Sequence, residues 1–300
     1  MALARSVRNL APLISVSTVE QIDLSSHPGR VFVLGDLHGM AHALERLLDL
    51  AGFDRACDLV WSLGDLIDRG PYSQRCLELL DEPWFRAIRG NHEQLLLDAA
   101  DDRDAWLQWT VNGGDWSLGY AWDDPALRAR LAALPWACEL TTQVGRIGLV
   151  HADVDRTCDW PQLLAALAAD RGLTRQTALW SRSSANQAMR GLPGRQVPGV
   201  DLVLVGHTIM TRSFQWGNLW FMDSGAVVTD DPSAALSMLE VHPTLKLWSL
   251  PTAHDPITSQ WWSGQMDRVA AAQARRSSGS GARAPGSVPG DQEGDQARPP

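Results

Sequence analysis

The sequence predicts an α/β protein, and three observations carry that prediction. Five short apolar runs, at 31–34, 59–63, 85–89, 147–150 and 201–205, are rich in β-branched or aromatic residues and read as buried strands. Between the first three runs lie segments of helical period, the pattern of a parallel sheet with crossover helices. From about residue 200 the chain turns to strands, at 201–205, 219–223, 234–241 and 245–249, which predicts a second, mainly antiparallel sheet packed on the first.

In chain order, residues 1–28 show no strong period and read as an N-terminal extension, followed by one domain over 29–255. Ala41, Leu44, Leu47, Leu48 and Ala51 fall at helical spacing and Gly52 supplies a stop. Pro71 opens a helix running to Leu80, since proline is tolerated at an early helical position. A further helix runs from Glu93 to Ala100, and another covers 161–170. Residues 101–140 hold Trp106, Trp109, Trp116, Trp122 and Trp136 around Asn112-Gly113-Gly114-Asp115, and predict a helical cap. Residues 268–300 are rich in Gly, Ser, Pro, Arg and Gln without large apolar groups, so they read as a disordered tail.

Composition narrows the function classes. With 26 basic and 35 acidic residues the net charge is −9, which argues against nucleic acid or an anionic membrane as partner. The tryptophans therefore read as packing rather than base stacking, because no basic patch accompanies them. Cys57, Cys76, Cys138 and Cys158 are widely spaced and form no CxxC pair, as expected of free thiols in a reducing compartment. Leu10–Val16 is too short and broken for a secretory signal, and no stretch reaches the roughly 18 apolar residues that span a bilayer. A cytoplasmic location is the expectation.

Each of the five strands ends at a motif: Gly35-Asp36-Leu37-His38-Gly39, Gly64-Asp65-Leu66-Ile67-Asp68-Arg69-Gly70, Gly90-Asn91-His92-Glu93, His151-Ala152-Asp153 and Gly206-His207-Thr208. The rim beyond the carboxyl ends of the strands is where α/β proteins bind ligands. Asp36 and His38, two apart in an extended turn, point to one side, and Asp65 lies at the next strand end as the natural bridging carboxylate. Asn91 offers a neutral oxygen, while His151 and His207 offer imidazole nitrogens. Such a mixed set suits Mn, Fe or Zn better than Ca, and its number suits two divalent ions, with Mn²⁺ the expected metal. Any one Asp or His after a strand could be a turn or capping residue; five such motifs in order are hard to obtain by accident.

His92 stands next to a ligand candidate and is placed for general acid work, with Asp68 fixing its tautomer. The competing reading makes Asp68 the cap of the helix after Pro71. Arg69 is a planar donor fork suited to phosphate oxygens, against the alternative of a surface salt bridge. By spacing alone, Arg182 is an arginine in a polar loop, and Asp153 is either a support for the site or a turn former.

The ordered set GDLHG, GDLIDRG, GNHE, HAD and GHT resembles the phosphoprotein phosphatase superfamily of metallophosphoesterases, in its bacterial and phage-lambda-type branch, over about residues 30–250. The resemblance implies a calcineurin-like fold, a central β-sandwich of two mixed sheets flanked by helices. It implies one metal on Asp36, His38 and Asp65 and a second on Asp65, Asn91, His151 and His207. It also implies an acid pair of His92 and Asp68 and phosphate binding by Arg69, and the Trp180-Ser181-Arg182 segment makes Arg182 a second phosphate arginine. Met222-Asp223-Ser224-Gly225 stands where the eukaryotic members carry Ser-Ala-Pro-Asn-Tyr-Cys.

The expected function is a two-metal phosphomonoester hydrolase acting on phosphoserine or phosphothreonine proteins, or on phosphotyrosine as well, through a hydroxide shared by two ions. The alternative is a symmetrical dinucleoside-tetraphosphate hydrolase, a sister branch that typically carries Gly-Asn-His-Asp and lacks an acid at the Asp68 position. A non-catalytic binding module is the third reading, disfavoured because every ligand candidate is present.

Overall fold

A computed structural model describes residues 18–118 and 120–262. Two sheets pack face to face. The first holds β2 (Val31–Leu34), β3 (Leu59–Ser62), β4 (Phe85–Ala87), β10 (Ala235–His242) and β11 (Lys246–Pro251), in the order β11-β10-β2-β3-β4. The second holds β1 (Val19–Asp23), β5 (Ala137–Thr141), β6 (Arg146–Val150), β7 (Leu202–Val205), β8 (Phe214–Trp216) and β9 (Leu219–Phe221), in the order β1-β5-β6-β7-β9-β8.

Alternation along each strand explains the layering. Val31 and Val33 face inward with Trp61, Leu63, Cys138, Leu140, Ile147 and Leu149, forming the core between the sheets. Phe32, Leu34, Val60 and Phe85 face the other way, onto α1 (Ala41–Ala51), α2 (Ser73–Glu78) and α3 (Asn91–Ala99). On the far side Val150, Val203 and Val205 pack on α6 (Trp160–Ala168), α7 (Gly172–Trp180) and α8 (Ser183–Met189). The result is an α/β/β/α sandwich. Strands covered on both faces have no polar side to show, hence their continuous apolar runs.

The first helix matches its prediction, with Gly52 in the left-handed region (φ 58°) closing it. The helix expected from Pro71 starts two residues later, at Ser73. The cap consists of α4 (Arg103–Val111), a short 3-10 turn at Gly114–Ser117 and α5 (Pro125–Ala132); it ends before 140, because Ala137–Thr141 is a strand.

Three expectations are corrected. The second sheet is mixed rather than mainly antiparallel: β1/β5, β6/β7 and β7/β9 pair in parallel, β5/β6 and β8/β9 antiparallel. The C-terminal strands do not stay together either, since β10 pairs antiparallel with β2 and joins the first sheet. The extension is also shorter than 1–28. Val19–Asp23 is a strand at the sheet edge, disguised because its sequence, VEQID, is mostly polar. Residues 1–17 and the tail at 268–300 lie outside the described residues.

Candidate active site

The loops leaving β2, β3, β4, β6 and β7 carry the five motifs, so both sheets feed one rim. Seven non-glycine residues adopt left-handed φ among the described residues, and five are in these loops: His38 (42°), Asp65 (50°), Asp68 (75°), Arg69 (68°) and His207 (64°). Strained backbone of this kind persists only where the surroundings enforce it, and it concentrates at functional sites. Two glycines make room for carboxylates. A Cβ at Gly90 would lie 2.2 Å from Asp65 Oδ1, and one at Gly206 would lie 2.0 Å from Asp36 Oδ1.

The side chains form two groups that share Asp65: His38, Asp65 and His92, and Asp65, His151 and His207. His38 Nε2 is 3.5 Å from Asp65 Oδ2 and His151 Nε2 is 3.4 Å from Asp65 Oδ1. Asn91 Oδ1 sits 2.8 Å from both His151 Nε2 and His207 Nδ1. Asp36 bridges to the fifth loop, its Oδ2 accepting the His207 N–H at 2.8 Å.

These residues fit divalent cations on the chemistry of the donor set. The Nδ1 atoms of His38 and His151 lie 2.9 and 2.8 Å from the carbonyls of Ile67 and Leu63, so their protons reside there and each Nε2 presents a lone pair inward. The inward-facing atoms are therefore mostly acceptors: the His151 lone pair meets Asn91 Oδ1, and Asp36 Oδ1 is buried without a hydrogen-bond partner among the described residues. Electrostatics agree. Burial holds His38 well below its usual range and takes His207, next to His151, down to about 3, so these imidazoles stay neutral. Burial and then the carboxylates of Asp223 and Asp65 push Asp36 well up, and burial raises Asp223 to about 6. The crowding of Asp36, Asp65 and Asp223 is the kind that bound cations would relieve.

His92 differs from the other two imidazoles. Its Nδ1 bonds Asp68 Oδ2 at 2.6 Å rather than a backbone carbonyl, and its Nε2 meets Arg69 Nη2 at 2.9 Å. Burial opposes protonation of His92, but the carboxylates of Asp65 and Asp68 outweigh it and raise its pKa. Asp68 is wholly buried, and its carboxylate does not cap α2. Arg69 is no surface salt bridge either: its other nitrogen lies 2.9 Å from His38 Nε2. Arg182, between α7 and α8, is exposed and reaches His207 Nε2 at 3.3 Å.

Three supporting residues had no assigned part in the sequence reading, or an open one. Glu93 accepts the N–H groups of Asp65, Leu66 and Gly90 at 2.9, 2.8 and 2.8 Å, fixing two motif loops at once. Its place two residues after Asn91, as the acidic residue of the first turn of α3, was the available signal. Asp153 accepts from the Ser184 N–H (2.9 Å) and Ser181 Oγ (3.1 Å), so it supports the turn that carries Arg182. Asp223 accepts the Gly225 N–H at 2.9 Å and its charge acts on Asp36, and nothing in its spacing marked it.

Fold and site together define a metal-dependent phosphoester hydrolase. The family model for calcineurin-like phosphoesterases matches residues 29–210, and the chain belongs to that family. Serine/threonine-protein phosphatase 1 of Salmonella typhimurium is 36% identical over 202 residues, covering 66% of this chain and 87% of the relative. The symmetrical bis(5'-nucleosyl)-tetraphosphatase of Aeromonas salmonicida is 46% identical over 70 residues, covering 23% of this chain and 26% of its own length. A protein serine/threonine phosphatase from Saccharomyces cerevisiae shares the fold with a TM-score of 0.54 at 16% identity, covering 78% of this chain and 84% of that one. Among the described residues no helix is long and apolar enough to cross a membrane.

Proposed function

We propose that the protein is a phosphoprotein phosphatase that removes phosphate from serine or threonine side chains. The observation that carries the reading is the His92 Nδ1–Asp68 Oδ2 pair at 2.6 Å, buried beside Arg69. A serine alkoxide leaves poorly and needs a proton as its P–O bond breaks. The phosphate leaving groups of a dinucleoside polyphosphate are already stable anions. A buried, carboxylate-backed imidazole therefore fits the alkoxide better. The extent of similarity to the bacterial serine/threonine phosphatase, against the short match to the tetraphosphatase, supports the same choice.

In this reading Asp36, His38 and Asp65 hold one divalent ion and Asp65, Asn91, His151 and His207 the other, with manganese the expected metal. Bound there, the ions polarise phosphoryl oxygens and lower the pKa of a water molecule. Arg69 and Arg182 neutralise the remaining phosphoryl oxygens as bidentate donors. Protonated at Nε2, His92 can no longer accept from Arg69, whose fork is then free for phosphate. His92 donates that proton to the departing serine or threonine oxygen; water supplies the new P–O bond, giving inorganic phosphate and the free hydroxyl.

His92→Asn tests this. Its kcat on a phosphoserine peptide should fall about 10²–10⁴-fold, while turnover of nitrophenyl phosphate, whose leaving group departs without a proton, should fall far less. Equal losses on both substrates at unchanged metal content would remove the acid role. Turnover of a dinucleoside tetraphosphate well above that of phosphopeptides would favour the other branch.

A further inference from the structure

The Trp-rich cap reaches into the site at one carboxylate. Asp68 Oδ2 accepts from Trp109 Nε1 at 2.8 Å as well as from His92, and Asp68 Oδ1 accepts from Trp116 Nε1 at 2.6 Å. Both oxygens are thus held by indole N–H groups in a wholly buried environment. Trp109 is itself fully buried and meets Trp116 edge-on at 6.1 Å between ring centroids. The glycine turn between them serves this arrangement. A Cβ at Gly114 would lie 2.5 Å from the Trp109 indole, and Gly113, at φ 111°, directs its carbonyl to the Arg69 N–H at 3.2 Å.

We infer that Trp109 and Trp116 are positioning residues for the acid step, holding the Asp68 carboxylate in the orientation in which it backs His92. The inference rests on the general-acid reading of His92. The physical case is one of alternatives denied. A carboxylate with one partner can rotate about its Cβ–Cγ bond and meet His92 with either oxygen or neither. Donors on both oxygens, from rings locked by packing, fix that torsion and stabilise the anion that the imidazolium needs beside it. Apolar packing alone does not call for an N–H donor aimed at each oxygen of Asp68. Losing one hydrogen bond to a buried charge corresponds to roughly a tenfold to hundredfold effect.

The experiment compares Trp109→Phe and Trp116→Phe on a phosphoserine peptide and on nitrophenyl phosphate, with metal content and thermal midpoint measured for each. General loosening of the fold lowers both activities together. A displaced Asp68 lowers the peptide activity selectively, so the readout is the ratio of the two kcat values. The ratio should fall roughly tenfold or more in each variant. In a His92→Asn background, where no acid remains to be positioned, the tryptophan substitutions should leave it unchanged. A ratio unaltered by Trp→Phe, while His92→Asn alone still lowers it, would overturn this inference and leave the acid reading standing. A ratio unaltered by His92→Asn would overturn both. If buried Trp109→Phe fails to fold, Trp116, which is half-buried, carries the same test.

Discussion

Glu93 ties its carboxylate to the backbone of Asp65, 28 residues earlier, at 2.9 Å, and through its other oxygen to Leu66 at 2.8 Å. Asp65 sits at φ 50°, a conformation a non-glycine residue does not hold unaided, and these bonds hold it. Glu93→Gln places an amide N–H₂ against one of the N–H donors. It should lower stability by about 1–3 kcal/mol and weaken metal binding by about 10–100-fold. Thermal unfolding and metal titration measure the two effects; unchanged metal affinity would show that the Asp65 loop holds its shape without Glu93.

Asp65 belongs to both donor groups, whereas His207 belongs to one. Asp65→Asn should therefore abolish turnover and weaken both sites, while His207→Ala should leave close to one ion per chain by elemental analysis. Chelation should inactivate the wild-type protein and added Mn²⁺ should restore it. Full activity after exhaustive chelation would refute the two-metal reading.

Arg182 is exposed and depends on its turn for direction, and Asp153 secures that turn through Ser181 and Ser184. Asp153→Ala should lower kcat/KM by about tenfold on both substrates while both metals remain, the pattern of a disturbed phosphate contact. Loss of metal in this variant would instead tie Asp153 to the His151 loop.

Away from the site, Asp58 joins the end of α1 to the central strands. Its oxygens accept the Arg30 N–H (2.7 Å), the Arg30 guanidinium (2.6 Å) and the Asp54 N–H (2.9 Å). Burial works to raise its pKa, but the bonds from Arg30 and Asp54 outweigh it and leave the carboxyl below its usual value. A folded-state pKa below the unfolded one contributes stability above about pH 4, lost as pH falls through the lower value. Asp58→Asn should cost about 1–3 kcal/mol at pH 7, with the gap to wild type narrowing below pH 4. Unfolding curves at pH 7 and pH 3 measure it; a gap independent of pH would show that packing rather than charge is involved.

The legible part of the fold was what short segments decide. The helix at 41–51 carried its period and its stopping glycine within a dozen residues, and strands such as β2 and β7 carried their burial as unbroken apolar runs. The VEQID strand was not legible, since an edge strand made mostly of polar residues looks like loop. Sheet membership was not legible either. The alternation along Ala235–His242 reads the same whether the strand pairs with β9 or, as found, with β2.

The sequence by itself determined the α/β class and the identity and order of the motif residues, because strand, turn and ligand candidate lie side by side in the chain. Only the tertiary structure decided their partners. Trp109 and Trp116 reach Asp68 from 41 and 48 residues away, and Asp153 supports the Arg182 turn from the far side of α6 and α7 in the chain. Indole N–H groups and carboxylates carry no spacing rule that pairs them; packing of the cap against the β3 loop selects these two donors from the chain's 14 tryptophans.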